Sequence, residues 1–371
     1  MVCTASAGGN GAASDGRIRG LDGLRGLAAL TVLGGHLSGG IVAVVSVYLF
    51  FVLSSFLLTS QFLAWRPGDF ADPWRWAHYA QRRFFRIVPL FVVVVLLSAA
   101  TTGTGAAWLG GEGLPLTVKP ERVPSVLRLA EGPNVLWTVA VECKFYLVLP
   151  VAAWLIVALG GGRPVVALPL LAAAVVACRL VAEPSRHSVE VLPFLPIFLV
   201  GIGAAVVHAR LSGGAWAGSP GARRGFEAAA WLAAAAWAVT TPMAQRILGV
   251  SLLSAESARH AHLFYAVVFA GLILGMVHGR GGMARLLEAR AMRWLGAVSF
   301  SLYLWHIGPI RVFAAIDGLH PLVAGGLAIA ASLAISAASY RWIEKPILRA
   351  TRHWLEPRVA GAAMPRPASA A

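Results

Sequence analysis

Apolar residues in this chain gather into long runs rather than short stripes, and brief stretches rich in arginine, proline and glycine separate the runs. A helix needs about 20 apolar residues to cross the hydrocarbon core of a bilayer, fewer where flanking side chains snorkel. Ten runs meet that need: Leu21–Leu37, Ile41–Leu63, Phe85–Ala100, Val135–Leu159, Val165–Val181, Leu192–His208, Phe226–Thr240, His262–Val277, Leu295–Ala315 and Leu322–Ile343. The expected fold is therefore all-α, a polytopic membrane protein with about ten transmembrane helices in one bundle. The seventh run is short and alanine-rich, and the first holds Arg25 and His36, so the number is fixed only to about one. Neither an internal repeat nor the inverted halves of many transporters is visible. Residues 1–16 are small and polar and read as a disordered lead, 17–346 as the transmembrane domain, and 347–371 as a cytoplasmic tail.

Composition agrees with that reading. Of 371 residues, 58% are hydrophobic and only 13% charged, where a soluble domain carries about 25%; mean hydropathy is +0.73. The net charge of +15 does not indicate nucleic acid, because the arginines sit between apolar runs rather than on a soluble face. With ten spans and a cytoplasmic N-terminus, 21 basic residues fall inside and 8 outside. That bias follows the positive-inside rule and predicts a multi-pass cell-membrane protein with both termini in the cytoplasm. Cys3, Cys143 and Cys178 form no CxxC pair and no metal-ligand spacing, so neither a disulfide framework nor a metal site is expected. Lysine occurs only at 119, 144 and 345, and the arginine, alanine and glycine bias suggests a GC-rich bacterial genome.

Ionisable side chains inside lipid are costly, and each asks for a reason. Eleven steps of about 100° bring Arg25 and His36 within about 20° of one helix face, roughly 16 Å apart along the axis. Histidine is the side chain best placed for general-base work near neutral pH. The alternative is an arginine that snorkels and pairs with Asp22, beside an isolated interfacial histidine. Leading into the third run is Arg82-Arg83-Phe84-Phe85-Arg86. Arg83 and Arg86 suit phosphate groups and equally suit a positive-inside anchor. In the fourth run Glu142 is a candidate to orient an imidazole or hold an acceptor hydroxyl, and a Glu142–Lys144 interface pair is the alternative. The ninth run carries Ser301-Leu302-Tyr303-Leu304-Trp305-His306. There Tyr303 and His306 are cavity-lining candidates, a lone buried histidine more often being part of a core.

In order, LDGLRGLAALTVLGGH (Leu21–His36), YLFFVLSSFLL (Tyr48–Leu58), RRFFRIVPLF (Arg82–Phe91), LWTVAVECKFYLVLP (Leu136–Pro150), SFSLYLWHIGP (Ser299–Pro309) and RWIEKP (Arg341–Pro346) resemble the membrane-bound acyltransferase 3 family over nearly the whole chain. The resemblance implies an acyltransferase that moves an acyl group from acyl-coenzyme A, its donor substrate, to a hydroxyl. It implies that His36 is the catalytic base, that Arg25 assists at the coenzyme A side, that Arg83 and Arg86 contact coenzyme A phosphates, and that Glu142 belongs to the site. The chain departs from the family at Ser46-Val47-Tyr48, where Gly-Val-Asp is usual, at Ser54-Ser55, where Ser-Gly is usual, and at Cys143-Lys144 after the glutamate. The missing acid at Tyr48 points to an unusual acceptor. The expected acceptor is a sugar or cell-envelope glycan, alternatively a natural product such as a macrolide, with a transporter or flippase as the non-enzymatic rival. The expected partners are the lipid bilayer, acyl-coenzyme A, the acceptor and a separate periplasmic enzyme where the acyl group is relayed; no nucleic acid is expected.

Overall fold

A computed structural model describes residues 18–38, 41–103, 112–182, 188–214, 218–250, 257, 260–351 and 354. The expected lead at 1–16 and the tail from 355 onward lie outside the described residues. All ten apolar runs are helical, as α1 (Arg19–Leu37), α2 (Ile41–Phe62), α3 (Pro73–Thr101), α4 (Leu136–Gly160), α5 (Pro164–Val181), α6 (Leu195–Ser212), α7 (Pro220–Val239), α8 (His262–Gly279), α9 (Arg290–Trp305) and α10 (Pro321–Ser339). No strand occurs among the described residues.

Seven of the ten are long and apolar enough to cross a membrane. The other three fall short for reasons visible in their side chains: α1 holds Asp22, Arg25 and His36, α7 opens with Arg223, Arg224 and Glu227, and α9 has 16 residues. Large apolar residues on the outer surface remain uncovered, including Leu147 (78% exposed), Leu180 (83%) and Leu322 (81%). A surface of this kind belongs against lipid.

Two helices differ from expectation. The third begins at Pro73 rather than near Phe85, so Arg75, Arg82 and Arg83 lie on the same helix as Arg86, well inside its first turns. Asp72 caps its start by accepting from the Trp74 N–H at 2.9 Å, with proline in the first turn, where its missing donor costs nothing. The ninth run is broken: α9 stops at Trp305 and a short helix restarts at Ile307–Ala314. Pro309 explains the break, because it has no N–H to offer the Trp305 carbonyl and its ring crowds that oxygen. His306 stands at the joint. At the far end of α10 the chain passes through one wide turn, Tyr340–Glu344, before a last helix, Lys345–Thr351.

In lipid, helices gain little from apolar contact alone, and close packing falls to small residues. Gly26 of α1 meets Gly296 of α9 so closely that a Cβ on Gly26 would lie 2.7 Å from the Gly296 nitrogen. A Cβ on Gly201 of α6 would stand 2.7 Å from the Val52 carbonyl oxygen of α2, and one on Gly275 of α8 would stand 2.6 Å from the Phe226 oxygen of α7. The first of these contacts positions the site. Gly23 faces Leu287, Gly26 faces Met292 and Gly296, and Ala29 and Leu33 cluster with Leu302. The partner numbers rise together, so α1 and α9 run parallel.

Candidate active site

Where α1 begins and α2 ends, a cleft of about 200 Å³ opens beside the first turns of α3. Arg75, His78, Tyr79, Arg82 and Arg83 line it from one helix face, and Gln61, Phe62 and Trp65 close the other side. Arg75 is committed locally, to Asp69 at 3.2 Å and Asp72 at 3.6 Å, and lies over the Trp65 ring. Arg83 lies over the ring of Tyr146, 5.8 Å from its centroid, and its buried Nε has no hydrogen-bond partner among the described residues. The cleft is smaller than the roughly 300–1,000 Å³ that drug-sized ligands fill, so it does not enclose a whole ligand of that size.

One turn further along α3, Arg86 donates to Glu344 at 3.0 Å. That carboxylate is 4% exposed and also accepts from the Ser301 hydroxyl of α9. Arg86 is therefore tied to the wide turn after α10 and, through Ser301, to the helix that carries His306. Arg25 lies between these groups: it reaches Asp22 at 3.6 Å, and the charges of Arg86 and Glu142 and the Tyr146 hydroxyl are its electrostatic neighbours.

On α4, Thr138, Glu142 and Tyr146 recur every four residues and so share a face. Glu142 Oε1 accepts from Ser54 of α2 and from Tyr146, both at 2.5 Å. Lys144 turns elsewhere, donating to the Val189 carbonyl at 2.9 Å and pairing with Glu190 at 3.1 Å. The Glu142–Lys144 pair considered from sequence does not form, because residues two apart point to different sides of a helix. Thr138 donates to the Tyr303 hydroxyl at 2.8 Å, and that hydroxyl donates to the Val135 carbonyl at 2.8 Å.

At the other end of α1, the His36 ring lies 5.0 Å from the His306 ring, centroid to centroid, tilted by 48°. His36 is exposed and His306 only 1% exposed. The Tyr303 ring is 6.0 Å from that of His306. Over this end folds the segment that leads into α4. Arg311 clasps it through Thr117 at 2.8 Å, Asn134 at 3.1 Å and Glu112 at 3.2 Å.

The eight residues singled out from sequence thus divide into two groups. Arg25, Asp22, Arg83, Arg86 and Glu142 lie along the middle and the α1-start side of the bundle, and His36, His306 and Tyr303 at the opposite end. The ring beside His36 is His306; the Oε1 atom of Glu142 goes to Ser54 and Tyr146. Sequence reasoning passed over Glu344, Ser301, Ser54 and Tyr146. All four fall in the family-like segments, and the glutamate had a further signal as an acid next to an apolar run; the hydroxyls had no physical one, since serine and tyrosine are unremarkable in a helix.

Fold and site together define a multi-pass α-helical membrane protein with a line of polar side chains crossing its apolar interior. The chain belongs to the acyltransferase domain family, whose model matches residues 18–341. It is 26% identical over 372 residues to the candidate peptidoglycan O-acetyltransferase YrhL of Bacillus subtilis (strain 168), covering 89% of this chain and 55% of the relative. It is 27% identical over 370 residues to the peptidoglycan O-acetyltransferase OatA of Listeria monocytogenes serovar 1/2a (strain ATCC BAA-679 / EGD-e), covering 88% and 55%. The chain thus spans about half the length of these relatives. No solved structure matches it.

Proposed function

We propose that this protein is an integral membrane O-acyltransferase that takes an acyl group from acyl-coenzyme A and delivers it to a sugar hydroxyl of a cell-envelope glycan. The observation that carries this reading is the set of polar groups in the bundle: Arg83, Tyr146, Glu142 and Arg25 on the cleft side, then Thr138, Tyr303 and His306 leading to the exposed His36 at the other end. Such groups are costly at lipid depth and mark a path for a polar ligand. The family supplies the acyl chemistry, and the names of the two relatives favour a peptidoglycan-like acceptor.

In this reading the cleft end faces the cytoplasm, as the arginine distribution favours. The unpartnered Arg83 Nε and its guanidinium take the phosphates of coenzyme A. The pantetheine arm follows the Arg25–His36 side of α1, where the two residues stand roughly 16 Å apart along the axis. His36 removes the proton of the acceptor hydroxyl as its oxygen attacks the thioester carbonyl. The C–S bond then breaks, and the proton passes from His36 to the coenzyme A thiolate. Glu142, held by Ser54 and Tyr146, lines the arm's path.

The test is acyl transfer from radiolabelled acetyl-coenzyme A by the purified full chain in lipid nanodiscs, with a muropeptide fragment as acceptor. The wild type is expected to release free thiol and label the glycan. His36→Ala is expected to insert normally and do neither; full activity in that variant refutes the role of His36.

A further inference from the structure

The interior of the bundle holds a second imidazole whose chemistry is already half determined. His306 Nδ1 lies 2.8 Å from the Tyr303 carbonyl oxygen and 3.1 Å from that of Leu302. Both oxygens only accept, so Nδ1 carries the hydrogen and, in the neutral ring, Nε2 presents a bare lone pair. That Nε2 is buried and has no hydrogen-bond partner among the described residues. Native interiors seldom leave such an acceptor unused. The polar groups nearest to it in sequence are committed elsewhere: the Tyr303 hydroxyl donates to the Val135 carbonyl, and Trp305 Nε1 donates to Ser339 at 3.1 Å. The polar side chain whose ring stands against His306 is His36.

From this geometry we infer that His306 is a positioning residue for His36: its Nε2 lone pair receives the N–H of whichever His36 nitrogen faces away from the acceptor. The inference rests on the reading of His36 as the base. When His36 takes the hydroxyl proton it becomes an imidazolium with two N–H groups, one toward the substrate and one needing an acceptor. His306 supplies that acceptor and keeps its own proton on Nδ1, so no net charge is added by the orienting group. A carboxylate in the same place would bring a second ion to lipid depth, a costly addition. The joint in the chain at His306 is what makes this possible, because Pro309 ends α9 there and lets the ring fold back onto the Leu302 and Tyr303 carbonyls.

The test uses the full chain in nanodiscs with acetyl-coenzyme A and the muropeptide acceptor. His306→Asn keeps an N–H donor near the Nδ1 position but offers nothing at Nε2; His306→Gln places an amide oxygen near Nε2. Expected is a fall in kcat of about 10²-fold for the asparagine variant, with KM for acetyl-coenzyme A within about twofold, and recovery of roughly tenfold of that loss in the glutamine variant. Wild-type kcat in His306→Asn, or equal impairment of both variants, overturns the inference while leaving His36 as the base. Full activity in His36→Ala overturns the underlying reading instead. If the His306 variants fail to fold, ¹⁵N-histidine solid-state NMR decides. In that measurement His36→Ala is expected to shift the lone-pair nitrogen signal of one other histidine, and an unchanged set of signals overturns the contact.

Discussion

Replacing Gly296 by alanine tests the contact that sets the two histidines against each other. The added methyl would sit 1.9 Å from the Asp22 carbonyl oxygen of α1, whereas ordinary contact begins at 3.4 Å. The two backbones must therefore part by roughly 1.5 Å, and no flexible side chain lies at that point to absorb the shift. Overpacking of this kind costs about 1–3 kcal/mol. Gly296 lies on α9 and His306 caps that helix ten residues on, about 15 Å along its axis, so the displacement carries to the imidazole. A misplacement of about 1 Å costs on the order of 10²-fold in rate. Gly296→Ala is expected to insert and remain monodisperse, to melt several degrees lower, and to lose turnover by about that factor. Gly34→Ala is the control, because a Cβ there meets nothing within 4 Å; it should keep its activity within about twofold and gain up to about 1 kcal/mol of helix stability. Full turnover in Gly296→Ala, or equal damage from Gly34→Ala, would show that the α1–α9 spacing does not govern the site.

Three further outcomes follow from the polar line and its supports. Arg83→Gln removes the guanidinium over Tyr146 and is expected to raise KM for acetyl-coenzyme A about tenfold, a loss of roughly 1.4 kcal/mol, with kcat near wild type; an unchanged KM would place the phosphates elsewhere. Glu344→Ala leaves Arg86 without its buried counter-ion and should cost about 3–5 kcal/mol in denaturation experiments. Glu344→Gln, which keeps an acceptor for Ser301, should cost less, and equal losses would discount the ion pair. Arg311→Ala frees the segment held at Thr117 and Asn134, so amide exchange at Leu116 and Val118, whose N–H groups donate to Ser98 at 3.3 Å and Thr102 at 3.2 Å, should quicken about tenfold by mass spectrometry; unchanged protection would mean that these two hydrogen bonds suffice.

The ten helical segments were legible because each rests on a run of apolar residues, a signal local to the sequence. The early start of α3 was hidden because Pro73–Phe84 is mostly polar or aromatic, and its helix signal is the Asp72–Pro73 cap rather than hydropathy. The break at His306 had a local sign, Pro309, but the apolar run continues across it. Arg25, His36, Arg86 and Glu142 could be singled out because charge within an apolar run is costly wherever it points. What each touches was not legible. His36 meets His306 because glycines on two distant helices fix a common register, and Arg86 meets Glu344 because the chain widens into an unusual turn after α10. Both are consequences of packing between segments about 260–270 residues apart, which no window of sequence displays.

The parallel pairing of the first and ninth helices also has a consequence in time. At about 5–20 residues per second, a ribosome needs roughly 15–55 s to travel from one imidazole to the other. During that interval His36 has no His306 ring to stand against. If His36 acts as proposed, the groups around it are brought together only after that interval. The pairing of the two rings must wait for α9 to dock along the glycine seam.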